Sequence, residues 1–120
     1  MTTIPRDGTL LRIFIGERDT WQGRPLAEAI VELARQQGLA GATCLKGFLG
    51  FGARSVLHTV KILRLSEDLP IVIEIVDRRE AIERFVPQLD AMIHDGLVTL
   101  EPVEVLVYRS RSEGPSSSSP

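Results

Sequence analysis

IVIEIVDRRE, residues 71–80, changes from one periodicity to another at Asp77. Ile71 to Val76 is apolar at every position but Glu74, as expected of a strand with apolar surroundings on both faces, and Pro70 starts it. Asp77 and Glu80 have capping-box spacing, Asp77 accepting from the Glu80 N–H and Glu80 reaching back. The predicted helix carries Ala81, Ile82, Phe85, Val86, Leu89, Met92 and Ile93. Pro87 is expected to kink it and Gly96 to end it. Val98 to Val107 then supplies another strand, interrupted at Pro102.

The first half of the chain repeats this order. Thr9 to Ile15 (TLLRIFI) is a strand with Leu11, Ile13 and Ile15 on one face and Leu10, Arg12 and Phe14 on the other. A polar loop from Gly16 to Gly23 carries the only tryptophan, Trp21, expected to pack under the loop rather than to cover a cleft or stack on a ring. Pro25 suits a first helical turn, where its missing N–H is no loss. Leu26, Ala29, Ile30, Leu33 and Ala34 form one apolar stripe, and Gly38 takes the left-handed position at the helix end. A second strand is expected from about Ala42 to Leu49. Between it and Pro70 the apolar residues fit neither period, so a long loop is expected there, mobile without ligand from about Gly50 to Leu65.

Two βαβ units in tandem give an α+β, ferredoxin-like fold, βαββαβ: a four-stranded antiparallel sheet with both helices on one face. Residues 1–108 are expected to form this domain, and residues 109–120 (RSRSEGPSSSSP), which have no apolar content, a disordered tail. Two helices leave the other sheet face bare, although the first and third strands are apolar on both sides. A patch of that size calls for self-association, so a homo-oligomer closed through the sheet faces is expected.

Composition narrows function by exclusion. With 14 basic and 16 acidic side chains the formal charge is −2, which offers no broad positive field for nucleic acid. The single cysteine, Cys44, permits no intramolecular disulfide and no cysteine-based zinc cluster. Charged residues break up the N-terminal stretch that a signal peptide would need, and no apolar run nears the ~20 residues that span a bilayer. A cytoplasmic protein without direct membrane insertion is expected.

LRIFIGE (Leu11 to Glu17), GRPLAEAIVELARQQGLAGAT (Gly23 to Thr43), KGFLGFG (Lys46 to Gly52), LRLSEDLPIVIEIVD (Leu63 to Asp77) and GLVTLEPVEV (Gly96 to Val105) together resemble the DUF190 family of PII-like proteins. The resemblance implies a trimer similar to the PII signalling proteins, with adenine nucleotides bound in clefts between subunits. It also implies that the long loop reports ligand state to a transporter, channel or enzyme. DUF190 genes often neighbour those of fluoride-channel proteins, which implies a membrane-transport partner. The chain departs from true PII proteins in lacking their modified tyrosine loop and their basic phosphate loop before the fourth strand, where His94 to Thr99 stands instead.

The candidate ligand site is a glycine-rich turn in a locally basic segment. Gly47, Gly50 and Gly52 can bring backbone N–H groups to an anion, with Lys46, Arg54 and Lys61 supplying charge. Gly96 and Thr99 of a neighbouring subunit are the expected opposite wall. The competing reading of the turn is a glycine-rich bulge flanked by solvated cations. His58 and His94 cannot complete a tetrahedral metal site within one chain, although three copies of His58 around a trimer axis could. A metal-tolerance protein like the trimeric CutA group, or a small enzyme using Cys44, His58 or Glu67, is the alternative function. No local motif sets a base beside Cys44, which reads as a small buried hydrophobe. No catalytic residue and no metal ligand is therefore assigned, and the protein is expected not to be an enzyme. Glu74, flanked by apolar residues, needs a cation, and Arg12 is the candidate.

Overall fold

A computed structural model describes residues 4–52 and 68–110. The elements are β1 (Asp7–Gly16), β2 (Thr20–Trp21), β3 (Arg24–Pro25), α1 (Leu26–Gln36), β4 (Thr43–Lys46), β5 (Pro70–Asp77), α2 (Arg79–Asp90) and β6 (Leu97–Glu104). β4, β5, β1 and β6 form a sheet in that order, and each neighbouring pair is antiparallel. This is the ferredoxin-like α+β arrangement, with β5 and β1 central and β4, only four residues long, and β6 at the edges.

The alternation in the central strands sets the layers. Leu11, Ile13, Ile15, Ile71, Ile73 and Ile75 are buried against Leu26, Ala29, Ile30 and Ala34 of α1 and Ile82, Phe85 and Leu89 of α2. α1 ends in a Schellman motif: Gly38 has φ +78, its N–H donates to the Arg35 carbonyl, and the Leu39 N–H donates to Ala34. Trp21 is half-buried against the same core.

Several boundaries differ from the sequence reading. The loop from Gly16 to Gly23 contains a small hairpin, Thr20–Trp21 paired with Arg24–Pro25. Gln22 and Gly23 both have positive φ, as a two-residue turn between twisted strands requires. β4 stops at Lys46 rather than Leu49, and the Gly47 N–H makes a last bond to the Pro70 carbonyl before the chain turns away. Pro102 does not interrupt β6, because an edge strand tolerates a residue that lacks a donor. The capping box does not form. Arg78 is the N-cap of α2 without a side-chain bond, while Asp77 accepts from the N–H groups of Ala40 and Arg78 instead. Pro87 lies inside α2, which continues to Asp90.

The face away from the helices carries Phe14, Val72 and Val76, all half-buried, together with the exposed Leu45 and Leu97. At its centre Arg12 bonds Glu74 at 2.9 Å and Glu101 at 3.3 Å, so the expected Arg12–Glu74 pair is present. Residues 53–67 and 111–120, on which most of the expected mobile loop and disordered tail fall, lie outside the described residues. Among the described residues no helix is long and apolar enough to cross a membrane.

Candidate functional site

Antiparallel pairing gathers the candidate residues at one end of the sheet. The C-terminal end of β4, the start of β5, the end of β1 and the start of β6 lie side by side, through the pairs Lys46–Ile71, Gly16–Pro70 and Phe14–Leu97. Lys46 and Gly47 stand at one edge, and Gly96 to Thr99 at the other. Three strand spacings of about 4.8 Å separate the edges, so within one subunit these groups lie about 14 Å apart. A single phosphate could not touch both unless a second subunit brought them together.

Two glycines of the turn have a structural task. A Cβ on Gly47 would lie 2.6 Å from Pro70 Cγ, and one on Gly50 3.0 Å from the same atom. These glycines let the turn pack on the proline that opens β5. The Gly47 N–H, bonded to the Pro70 carbonyl at 2.6 Å, is not free for an anion. Phe48, Leu49 and Phe51 project into solvent, with Phe48 91% exposed. Gly52 is exposed and has open space where a Cβ would stand.

Lys46 is already engaged: its Nζ lies 2.6 Å from Glu17 Oε2 across the start of β5. The hydrogen bond from Lys46 holds the Glu17 carboxyl below its ordinary pKa. The Glu17 N–H donates to the Leu69 carbonyl at 2.8 Å, the Arg18 N–H to Asp68 at 3.0 Å, and the Gly16 N–H to Asp19 at 2.8 Å. By sequence Glu17 falls inside the polar loop from Gly16 to Gly23. Its role depends on β5 separating it from Lys46, and only the pairing register reveals that. Arg54 and Lys61 lie outside the described residues.

At the other edge, Gly96 precedes β6 with φ +154, and a Cβ there would meet the Phe14 carbonyl oxygen at 2.7 Å. Thr99 pairs with Arg12, so it shares the open face with the Arg12–Glu74–Glu101 cluster.

Cys44 is exposed on the short edge strand β4 rather than buried, because no further strand covers that edge. Desolvation by its neighbours raises the thiol pKa, which disfavours the thiolate a nucleophile needs. Among the described residues no group of three or more His, Cys, Asp or Glu side chains could hold a metal ion. His58 and Glu67 lie outside those residues.

Residues 8–105 match the model of the DUF190 family, described as "Uncharacterized ACR". The chain belongs to the DUF190 family. A UPF0166 protein of Aquifex aeolicus is 39% identical over 97 residues, covering 81% of this chain and 91% of that one. A UPF0166 protein of Methanocaldococcus jannaschii is 36% identical over 97 residues, covering 80% and 89% respectively. Among solved structures, CPII of Thiomonas intermedia K12 bound to ADP, AMP and acetate superposes with a TM-score of 0.57. It is 18% identical, and the match spans 82% of this DUF190 chain and 88% of CPII. The shared fold is therefore the PII-like one.

Proposed function

We propose that this DUF190 protein is a PII-like regulator without catalytic activity of its own. In this reading it is a cytoplasmic homotrimer that binds an adenine nucleotide between subunits and passes ligand state to a partner such as a membrane transporter or channel. The observation that carries the reading is the division of the candidate site between the two sheet edges, which only a second subunit would close. Lys46, with Arg54 and Lys61, would meet the phosphates, and Gly96 to Thr99 of a neighbour would form the other wall. The fold shared with CPII, whose structure holds ADP and AMP, supports nucleotide as the ligand class. The apolar open face around Arg12 supports assembly, since Phe14, Val72 and Leu45 would otherwise remain in water.

Two measurements test this. Light scattering should give three subunits per particle at micromolar concentration, and a stable monomer would overturn the assembly. Calorimetry should detect ADP or AMP binding, weakened roughly tenfold by Lys46→Ala, the loss expected of one charge-assisted contact. Binding unchanged by Lys46→Ala would move the phosphates away from this turn. No heat with either nucleotide would remove them as ligands.

A further inference from the structure

The polar groups at the Pro70 end of the sheet are unequal in what they can release. The N–H groups of Gly16, Glu17, Arg18 and Gly47 are bonded to backbone carbonyls or to the carboxylates of Asp19 and Asp68, all within 3.0 Å. An anion could reach them only by breaking the turn. The Lys46–Glu17 contact is different, because both side chains are open to solvent at 54% and 38% exposure. An exposed ion pair of this kind adds little to stability and breaks readily. The backbone of Glu17 is meanwhile held by its bond to Leu69, so its side chain can swing away while the strand end stays in place.

We propose that Glu17 occupies, in the ligand-free subunit, the place beside Lys46 that a ligand phosphate takes, so that binding proceeds by exchange of the ammonium from carboxylate to phosphate. This rests on the nucleotide reading above and adds to it the residue that sets affinity. Glu17, Asp19 and Asp68 crowd this end with carboxylates, and an arriving phosphate meets their repulsion. Displacement of Glu17 frees the Lys46 ammonium. The contact is an intramolecular competitor: it keeps Lys46 satisfied when the site is empty and raises the ligand concentration needed to fill it.

The test compares the full-length chain with Glu17→Gln, Lys46→Ala, the double variant and Glu83→Gln, all checked for equal assembly by light scattering. Glu83 pairs with Arg79 on α2, so it controls for loss of a remote negative charge. ADP titrated by calorimetry should bind Glu17→Gln roughly three- to tenfold more tightly than the parent, the effect of one like charge removed a few ångströms away in a nearly aqueous medium. Glu83→Gln should leave affinity unchanged, and Glu17→Gln should gain clearly less once Lys46 is alanine, because only the direct repulsion is then relieved and no ammonium is freed. A second readout follows the Glu17 carboxyl by carbon NMR. Its midpoint should rise when saturating ADP takes Lys46 from it, and stay fixed if the pair persists. ADP binding with unchanged affinity in Glu17→Gln and an unmoved Glu17 midpoint would overturn the exchange and leave the nucleotide reading standing. Absence of ADP binding in the parent and in Glu17→Gln would overturn both.

Discussion

Gly96→Ala should lower the stability of the subunit by about 2–4 kcal/mol, combining backbone strain with overpacking. The glycine has φ +154, outside the region that a side chain tolerates, and a Cβ would stand 2.7 Å from the carbonyl oxygen of Phe14. That oxygen belongs to the central strand β1, which pairs on both sides, so it has no room to retreat. Ile93 and Ile15 close in at 3.3 and 3.4 Å and bar a sideways shift. Urea unfolding at matched protein concentration gives the measurement, since self-association would make apparent stability depend on concentration. Gly41→Ala is the control. Nothing lies within 4 Å of a Cβ there, and the change should stay within about 0.5 kcal/mol. If the two variants prove equally stable, the approach of β6 to β1 is looser than described, and the wall proposed at Gly96 to Thr99 loses its rigid base.

The order of elements was legible because the two halves differ in period from their own helices. IVIEIV and TLLRIFI are too densely apolar for one-sided strands, and the stripes from Leu26 and Ile82 return every three or four positions. Gly38 was legible as a helix end because few other residues adopt its positive φ. Arg12 and Glu74 could be paired in advance, since each was a lone charge in an apolar strand. What stayed hidden depended on register or on an edge. Cys44 looked like a core residue, but it lies on a strand only four residues long with no neighbour outside it. Lys46 looked like a free cation, and its partner Glu17 lies 29 positions away across an intervening strand. By sequence the glycines of the turn fit either a phosphate loop or a glycine-rich bulge. Their contact with Pro70 identifies Gly47 and Gly50 as close-packing positions within the subunit.

Asp77→Ala is the other substitution expected to cost most, about 2–3 kcal/mol, for the loss of two acceptors from a buried site. Asp77 is only 2% exposed, and its oxygens accept from the Ala40 N–H at 2.9 Å and the Arg78 N–H at 2.7 Å. One carboxylate thus ties the connection between α1 and β4 to the junction of β5 with α2. The Ala40 carbonyl is held as well, by the Tyr108 hydroxyl at 3.1 Å, so this connection is pinned from both sides. Alanine would leave two backbone donors without partners, whereas Asp77→Asn keeps the volume and one acceptor and should fall between parent and alanine. Amide exchange separates this account from a general loss of packing. The Ala40 N–H should exchange faster in Asp77→Ala even under conditions where the core amides of β1 remain protected. Because β4 begins at Thr43, loosening this tether frees the strand that delivers Lys46 to the opposite end of the sheet. A variant as stable as the parent, with Ala40 exchange unchanged, would mean that water replaces the carboxylate without cost and that β4 is positioned by its pairing with β5 alone.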